Sequence, residues 1–203
     1  MTGAALRYVA LGDSYTIGTS VGIEERWPDQ LEARLRDFAV PVELVANLAI
    51  NGFTTRDVLE VELPRLDAQR PQLVSLQIGV NDVVQGVSED AFRRNVGLIL
   101  DALVERVGAT MILVVSIPDY TVTPAGADYG DPVRQSTAIR RANEILSELA
   151  RLRSVAFVDI YEISLAAATD RSLVAADGLH PSGTQYARWV DEIAPVVEDL
   201  LAL

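Results

Sequence analysis

Residues 6–18 read LRYVALGDSYTIG. From Leu6 to Leu11 the chain is apolar at nearly every position instead of every second one, which is how a strand buried on both faces reads. The run breaks at Gly12-Asp13, and Ser14 is the first hydroxyl beyond the break. A serine there can cap a helix, shape a turn or act as a nucleophile. The rest of the chain has to decide among them.

Four further runs have the same character: Val42–Ala49, Leu73–Ile78, Met111–Ile117 and Val155–Ile160. Between them lie helical patterns. Phe92, Val96, Ile99, Leu100, Leu103, Val104 and Val107 recur at three- and four-residue spacing, after Ser88 with Glu89 and Asp90 as a start signal. Ile139, Ala142, Ile145, Leu146, Leu149 and Leu152 repeat the pattern, and Trp27–Phe38, Thr55–Ala68 and Thr184–Leu201 complete the set. Strands alternating with helices in this way predict a parallel sheet covered on both faces, a three-layer α/β/α fold. No repeat or linker divides the chain, so one domain over residues 1–203 is expected. One connection, Pro118–Pro132, is far longer than the usual ~2–6 residues and reads as a functional loop or an insertion.

Composition excludes several functions. The 203 residues are 49% hydrophobic, enough for a substantial core, and the net charge is −12. An acidic chain repels phosphate backbones and anionic lipid surfaces, so no nucleic-acid partner is expected. Without cysteine there is no disulfide, thiolate metal site or cysteine nucleophile, and a single histidine rules out a His-rich zinc site. No apolar run approaches the ~20 residues of a membrane span. The start, MTGAALRYVALGDS, has no basic leader followed by an apolar core, so a cytoplasmic location is the default expectation.

In an open parallel sheet ligands bind beyond the carboxyl ends of the strands. Those ends carry Gly12-Asp13-Ser14, the segment from Asn47 to Gly52, Gly79-Val80-Asn81-Asp82, the long loop and Asp177-Gly178-Leu179-His180-Pro181. In DGLHP the turn residues around His180 allow Asp177 to bend back onto it. A carboxylate accepting the Nδ1 proton would leave Nε2 free as a base; the plain alternative is a hydrogen-bonded turn. Acyl transfer through serine needs a hydroxyl, a base and donors for the oxyanion. Ser14 and the Asp177–His180 pair supply the first two. Asn81 can offer its amide, and Gly52 a backbone N–H with no side chain in the way. Each has a plainer role beside this one: Gly52 a turn, Asn81-Asp82 a cap for the next helix or the shaping of the loop, Asp13 the shaping of the first turn or a cap. Trp27 and Trp189 read as packing residues, while Tyr120 and Tyr129 in the long loop are open either way.

GDSYTIG, the Gly52 segment, GVND and DGLHP together resemble the four signature blocks of the SGNH hydrolases, also called GDSL esterases and lipases, in their order from residue 12 to 181. The first block departs from the nickname, with Tyr15 where it has leucine. The resemblance implies a flavodoxin-like five-stranded sheet, Ser14 as nucleophile, His180 as base and Asp177 as its orienting partner. It also implies an oxyanion hole from the N–H groups of Ser14 and Gly52 and the side chain of Asn81, with no cofactor or metal. The implied activity is hydrolysis of carboxylic esters; with no export signal and no apolar lid helix visible in the sequence, small or short-chain esters are the expected substrates. The same triad also serves lysophospholipases, thioesterases, carbohydrate deacetylases and acyltransferases. A non-catalytic small-molecule-binding domain is the rival of another class; it would call for a glycine-rich phosphate loop, and neither GxGxxG nor GxxxxGK[ST] is present. The G-x-S-x-G elbow of the α/β-hydrolases is absent too.

Overall fold

The computed structural model describes residues 5–36, 38 and 40–202. Its sheet consists of β1 (Leu6–Gly12), β2 (Val42–Asn47), β3 (Leu73–Gln77), β4 (Ile112–Val115) and β5 (Ala156–Val158). All pairings are parallel, in the order β2-β1-β3-β4-β5. The expected strands are all present. β1 runs one residue further than expected, to Gly12, while β2 to β5 stop one or two residues short of their expected ends, and β4 and β5 also begin one residue late.

Tyr8, Val9, Ala10 and Leu11 are all fully buried, as a central strand with helices on both faces requires. One helical layer packs α2 (Trp27–Leu35) against α9 (Gly183–Leu201); the other joins α6 (Glu89–Val107) to α7 (Pro132–Leu152). Short helices α1 (Ser14–Ile17), α5 (Val80–Val84) and α8 (Tyr161–Leu165) follow β1, β3 and β5 directly. Trp27 and Trp189 are fully buried packing residues, and Trp27 Nε1 donates to Gln77 Oε1 on β3 at 3.0 Å. Of the run expected to continue α2 to Phe38, Asp37 lies outside the described residues; the helix itself ends at Leu35.

The stretch expected to be one helix from Thr55 to Ala68 is instead composite. α3 (Thr55–Asp57) passes into a π-turn over Val58–Glu62, then α4 (Leu63–Leu66) and a 3₁₀ turn over Asp67–Gln69. Pro64 is the physical reason. It lacks the N–H that would bond back to Glu60, and its ring crowds that carbonyl. The chain widens by one residue ahead of it.

The loop from Pro118 to Pro132 is ordered by two 3₁₀ turns, Tyr120–Val122 and Gly126–Tyr129. Buried Asp119 pins its start: Oδ2 accepts from Ser136 Oγ of α7 at 2.6 Å and from Tyr161 Oη of α8 at 2.8 Å. Ala125 N–H donates to Gly178 O at 2.9 Å, which ties the loop to the DGLHP segment.

The strand order reverses direction between β1 and β3. In an open α/β sheet that switch point is where a crevice forms, and Ser14 and Asn81 stand at the two strand ends that flank it.

Candidate active site

Gly12 closes β1 with φ +151°, and a side chain there would meet Gln77 O at 2.2 Å and Thr16 Oγ1 at 2.5 Å. Only glycine fits. Asp13 then caps α1, its Oδ1 accepting the Tyr15 N–H at 3.0 Å, so it shapes the turn as the sequence suggested. Ser14 is therefore the first residue of a one-turn helix and not its cap, and it is 4% exposed at the wall of a cavity.

DGLHP is a tight bend. Gly178 has φ +75°, its N–H returns to Ala175 O at 3.0 Å, and Val174 bridges Pro181. The bend brings Asp177 Oδ2 to 2.6 Å from His180 Nδ1, while Oδ1 accepts the N–H groups of Leu179 and His180 at 2.9 and 3.0 Å. The His180 ring tilts against the Tyr15 ring, centroids 5.2 Å apart, with the Nδ1 edge held by the carboxylate. Sequence reasoning missed a further partner, Ser20, whose hydroxyl donates to Asp177 Oδ2 at 2.7 Å from a backbone at φ +69°. A non-glycine residue at positive φ is uncommon; the only hint in the sequence was a serine two residues beyond Gly18. Burial pushes the Asp177 carboxyl up, but hydrogen bonds from Ser20, His180 and the two amides outweigh it and hold the group well below the usual carboxylate range.

Asn81 lies in the first turn of α5. Its Nδ2 donates to Phe53 O at 2.9 Å, which fixes the amide plane and leaves its second N–H for the cavity. The same bond joins the GVND segment to the Gly52 turn, where Gly52 has φ +84°. Among the described residues the N–H groups of Ser14 and Gly52 have no acceptor. Asp82 caps neither its own helix nor the next. It is buried and clamps the start of α3, taking Thr55 N–H at 2.9 Å and Thr55 Oγ1 at 2.6 Å.

Ser14, Asn81 and His180 thus line one cavity of about 70 Å³, together with Tyr120, Tyr129 and Val84. Asn51, not Gly52, is the residue of the second segment on its wall. The long loop contributes both tyrosines, their rings edge-on at 6.0 Å. Among the described residues the Ser14 hydroxyl has no hydrogen-bond partner. Nucleophile–base bonds are often long or misaligned until substrate is bound. No group of three or more His, Asp or Glu side chains is arranged for a metal ion among the described residues.

Two carboxyl groups beneath the site are strongly perturbed. Burial pushes Asp13 from the ordinary 3.8 up to about 7, and Glu62 from 4.5 up to about 9. The Tyr15 and Gly12 amides oppose the shifts, while Asp82 adds to the first and Asp13 to the second. A raised carboxyl stabilises the fold fully below its unfolded value and loses that contribution as pH rises through its folded value. The melting temperature should therefore decline from pH 5 to pH 9, with the Glu62 part removed in Glu62→Gln. Scanning calorimetry across that range checks this; equal slopes for the two proteins would contradict it. Asp177 has the opposite sign. Its contribution is present above the ordinary carboxylate range and is lost only on strong acidification.

Residues 10–188 match the model of the GDSL-like Lipase/Acylhydrolase family. Among curated proteins, the chain is 31% identical over 111 residues to an arylesterase of Vibrio mimicus, a match spanning 54% of each protein, about half the length of that relative. It is 23% identical to the esterase TesA of Pseudomonas aeruginosa over 98% of this chain and 90% of that protein. Among solved structures, a variant of Axe2, an acetyl xylan esterase from Geobacillus stearothermophilus, superposes with a TM-score of 0.76 at 19% identity, covering 96% of this chain and 95% of the other. A TesA crystal structure gives 0.73 at 22% identity, covering 96% and 99%. At such identities the structural likeness concerns the fold. No helix among the described residues is long and apolar enough to cross a membrane. By the match over most of its length, the chain belongs to the GDSL-like lipase/acylhydrolase family.

Proposed function

We propose that this protein is a single-domain serine esterase that cleaves small, short-chain carboxylic esters through Ser14, His180 and Asp177. The observation that carries the reading is the 2.6 Å contact between Asp177 and His180 Nδ1 on the wall of the cavity that also holds Ser14 and Asn81. With Nδ1–H donated to the carboxylate, Nε2 is the basic nitrogen. Ser14 Oγ attacks the acyl carbon as Nε2 takes its proton, and the oxyanion is held by the N–H groups of Ser14 and Gly52 and by the Asn81 amide. The imidazolium then protonates the leaving alcohol, and water repeats the sequence on the acyl-enzyme.

The preference for short acyl groups rests on size. The cavity beside Ser14 is small, about 70 Å³, and Tyr120, Tyr129 and Leu179 wall it in. One observation favours a second reading with longer chains. A groove of about 360 Å³ between α7 and the segment from α5 to the start of α6, lined in part by Val87, Phe92 and Ile145, shares Val84 with the cavity. Turnover of p-nitrophenyl esters of increasing acyl length decides between them. The short-chain reading expects kcat/KM to peak at acetate or propionate and to fall from butyrate onward. A rise through octanoate would transfer the acyl group to the groove, and absence of turnover at every length would remove the esterase reading.

A further inference from the structure

A fully buried carboxyl group, Glu62, lies against the turn that presents Ser14. Its Oε2 accepts the Gly12 N–H at 2.9 Å, and its Oε1 is buried without a hydrogen-bond partner. We propose that Glu62 is a positioning residue for the nucleophile: by holding the Gly12 peptide it sets where Ser14 places its hydroxyl relative to His180 and the oxyanion donors. The inference rests on Ser14 being the nucleophile.

The sheet itself creates the need. The last registered pair of β1 with β2 is Ala10 with Asn47, after which β2 turns away. The Gly12 carbonyl still receives the Ile50 N–H at 3.3 Å, but its own N–H has no main-chain acceptor left beside it and takes the Glu62 side chain instead. Glu62 replaces the carbonyl that a longer β2 would have offered.

The π-turn is what delivers it. Glu62 is the last residue of that turn, two positions before Pro64, so the break in helical spacing and the buried acid are one feature. π-turns are rare and concentrate at functional sites. The turn above is tightly packed on its Cβ side, where a side chain at Gly12 would strike Gln77 O and Thr16 Oγ1. A displaced Gly12 peptide would carry Asp13 and Ser14 with it. A buried acid with one unpaired oxygen is costly where an apolar side chain would pack freely. An apolar side chain, however, leaves the Gly12 N–H unpaired. The charged groups facing Glu62 are Asp13, Asp57 and Arg65, and burial outweighs them all in keeping the carboxyl protonated near neutral pH. A neutral acceptor of the same length should thus replace it.

The test compares Glu62→Gln, Glu62→Asp and Glu62→Leu, reading kcat and KM on p-nitrophenyl acetate, the inactivation rate with phenylmethylsulfonyl fluoride, and the melting temperature. Glutamine keeps an acceptor at the reach of glutamate; aspartate keeps the acid but falls a methylene short of Gly12. For misplacement of a reacting group by about 1 Å, the Asp and Leu variants should lose about 10²-fold in kcat with KM changed less than about threefold, and sulfonylation should slow in parallel. Glu62→Gln should restore both rates. A folded Asp or Leu variant with wild-type kcat would overturn the proposal, as would a Gln variant as slow as Asp. Should Leu fail to fold, the Asp and Gln pair decides. Failure of the nucleophile assignment shows separately, as a Ser14→Ala protein that is as active as wild type.

Discussion

Ser14→Ala should lower kcat on p-nitrophenyl acetate by about 10⁶-fold, the scale on which removal of a serine nucleophile acts when the triad works as a unit. The fold should survive, because the cap of α1 is Asp13 and not Ser14, and glycine, not serine, makes the turn. A melting temperature within about 2–4 °C of wild type, equivalent to about 1 kcal/mol, would confirm that the loss is chemical. Residual hydrolysis is expected from the proposed oxyanion donors, which would hold the tetrahedral oxygen whether water or serine attacks. A Ser14→Ala protein retaining a tenth of wild-type turnover would return Ser14 to the role of a turn residue.

Asp177→Asn should cost about 10⁴-fold in kcat, with the fold again intact. The reason lies in the four donors around the carboxylate. Oδ1 takes the Leu179 and His180 amides, and Oδ2 takes Ser20 Oγ and His180 Nδ1–H. An asparagine can satisfy only one of these pairs with its oxygen. With the oxygen on the amides, its NH₂ faces His180 Nδ1 and forces the proton onto Nε2, where a base is needed. With the oxygen on His180, its NH₂ confronts two backbone N–H groups and the bend opens. A loss smaller than tenfold, measured by steady-state kinetics near neutral pH, would mean that the imidazole keeps its tautomer without the carboxylate.

What could be read in the sequence followed from short-range rules. The continuous apolar run of β1 signalled a strand covered on both faces, and DGLHP signalled a bend because glycine and proline bracket the histidine. The strand ends then placed Ser14 and Asn81 on one rim. The unread parts depend on distance. Ser20 reaches Asp177 across 157 positions of sequence, through a positive φ that no residue type announces. Asp82 was readable as a cap, but its partner, Thr55, lies on a different element. Glu62 sits among Glu60, Val61 and Leu63 in what looked like one amphipathic helix. Pro64 was the available signal there. A proline inside a helical pattern breaks the hydrogen-bond ladder behind it, and the break is where the buried acid enters. The loop of Tyr120 and Tyr129 was legible as long, but its role as cavity wall depends on Asp119 reaching two helices at once.

The most direct test of the account is to catch the acyl-enzyme. The protein is mixed rapidly with p-nitrophenyl acetate, quenched in acid during turnover, digested with trypsin and examined by mass spectrometry. The account predicts a single acetyl group on the peptide Tyr8–Arg26, located on Ser14 by fragmentation and absent from Ser14→Ala. Acetylation of another residue, during turnover that persists in Ser14→Ala, would contradict it.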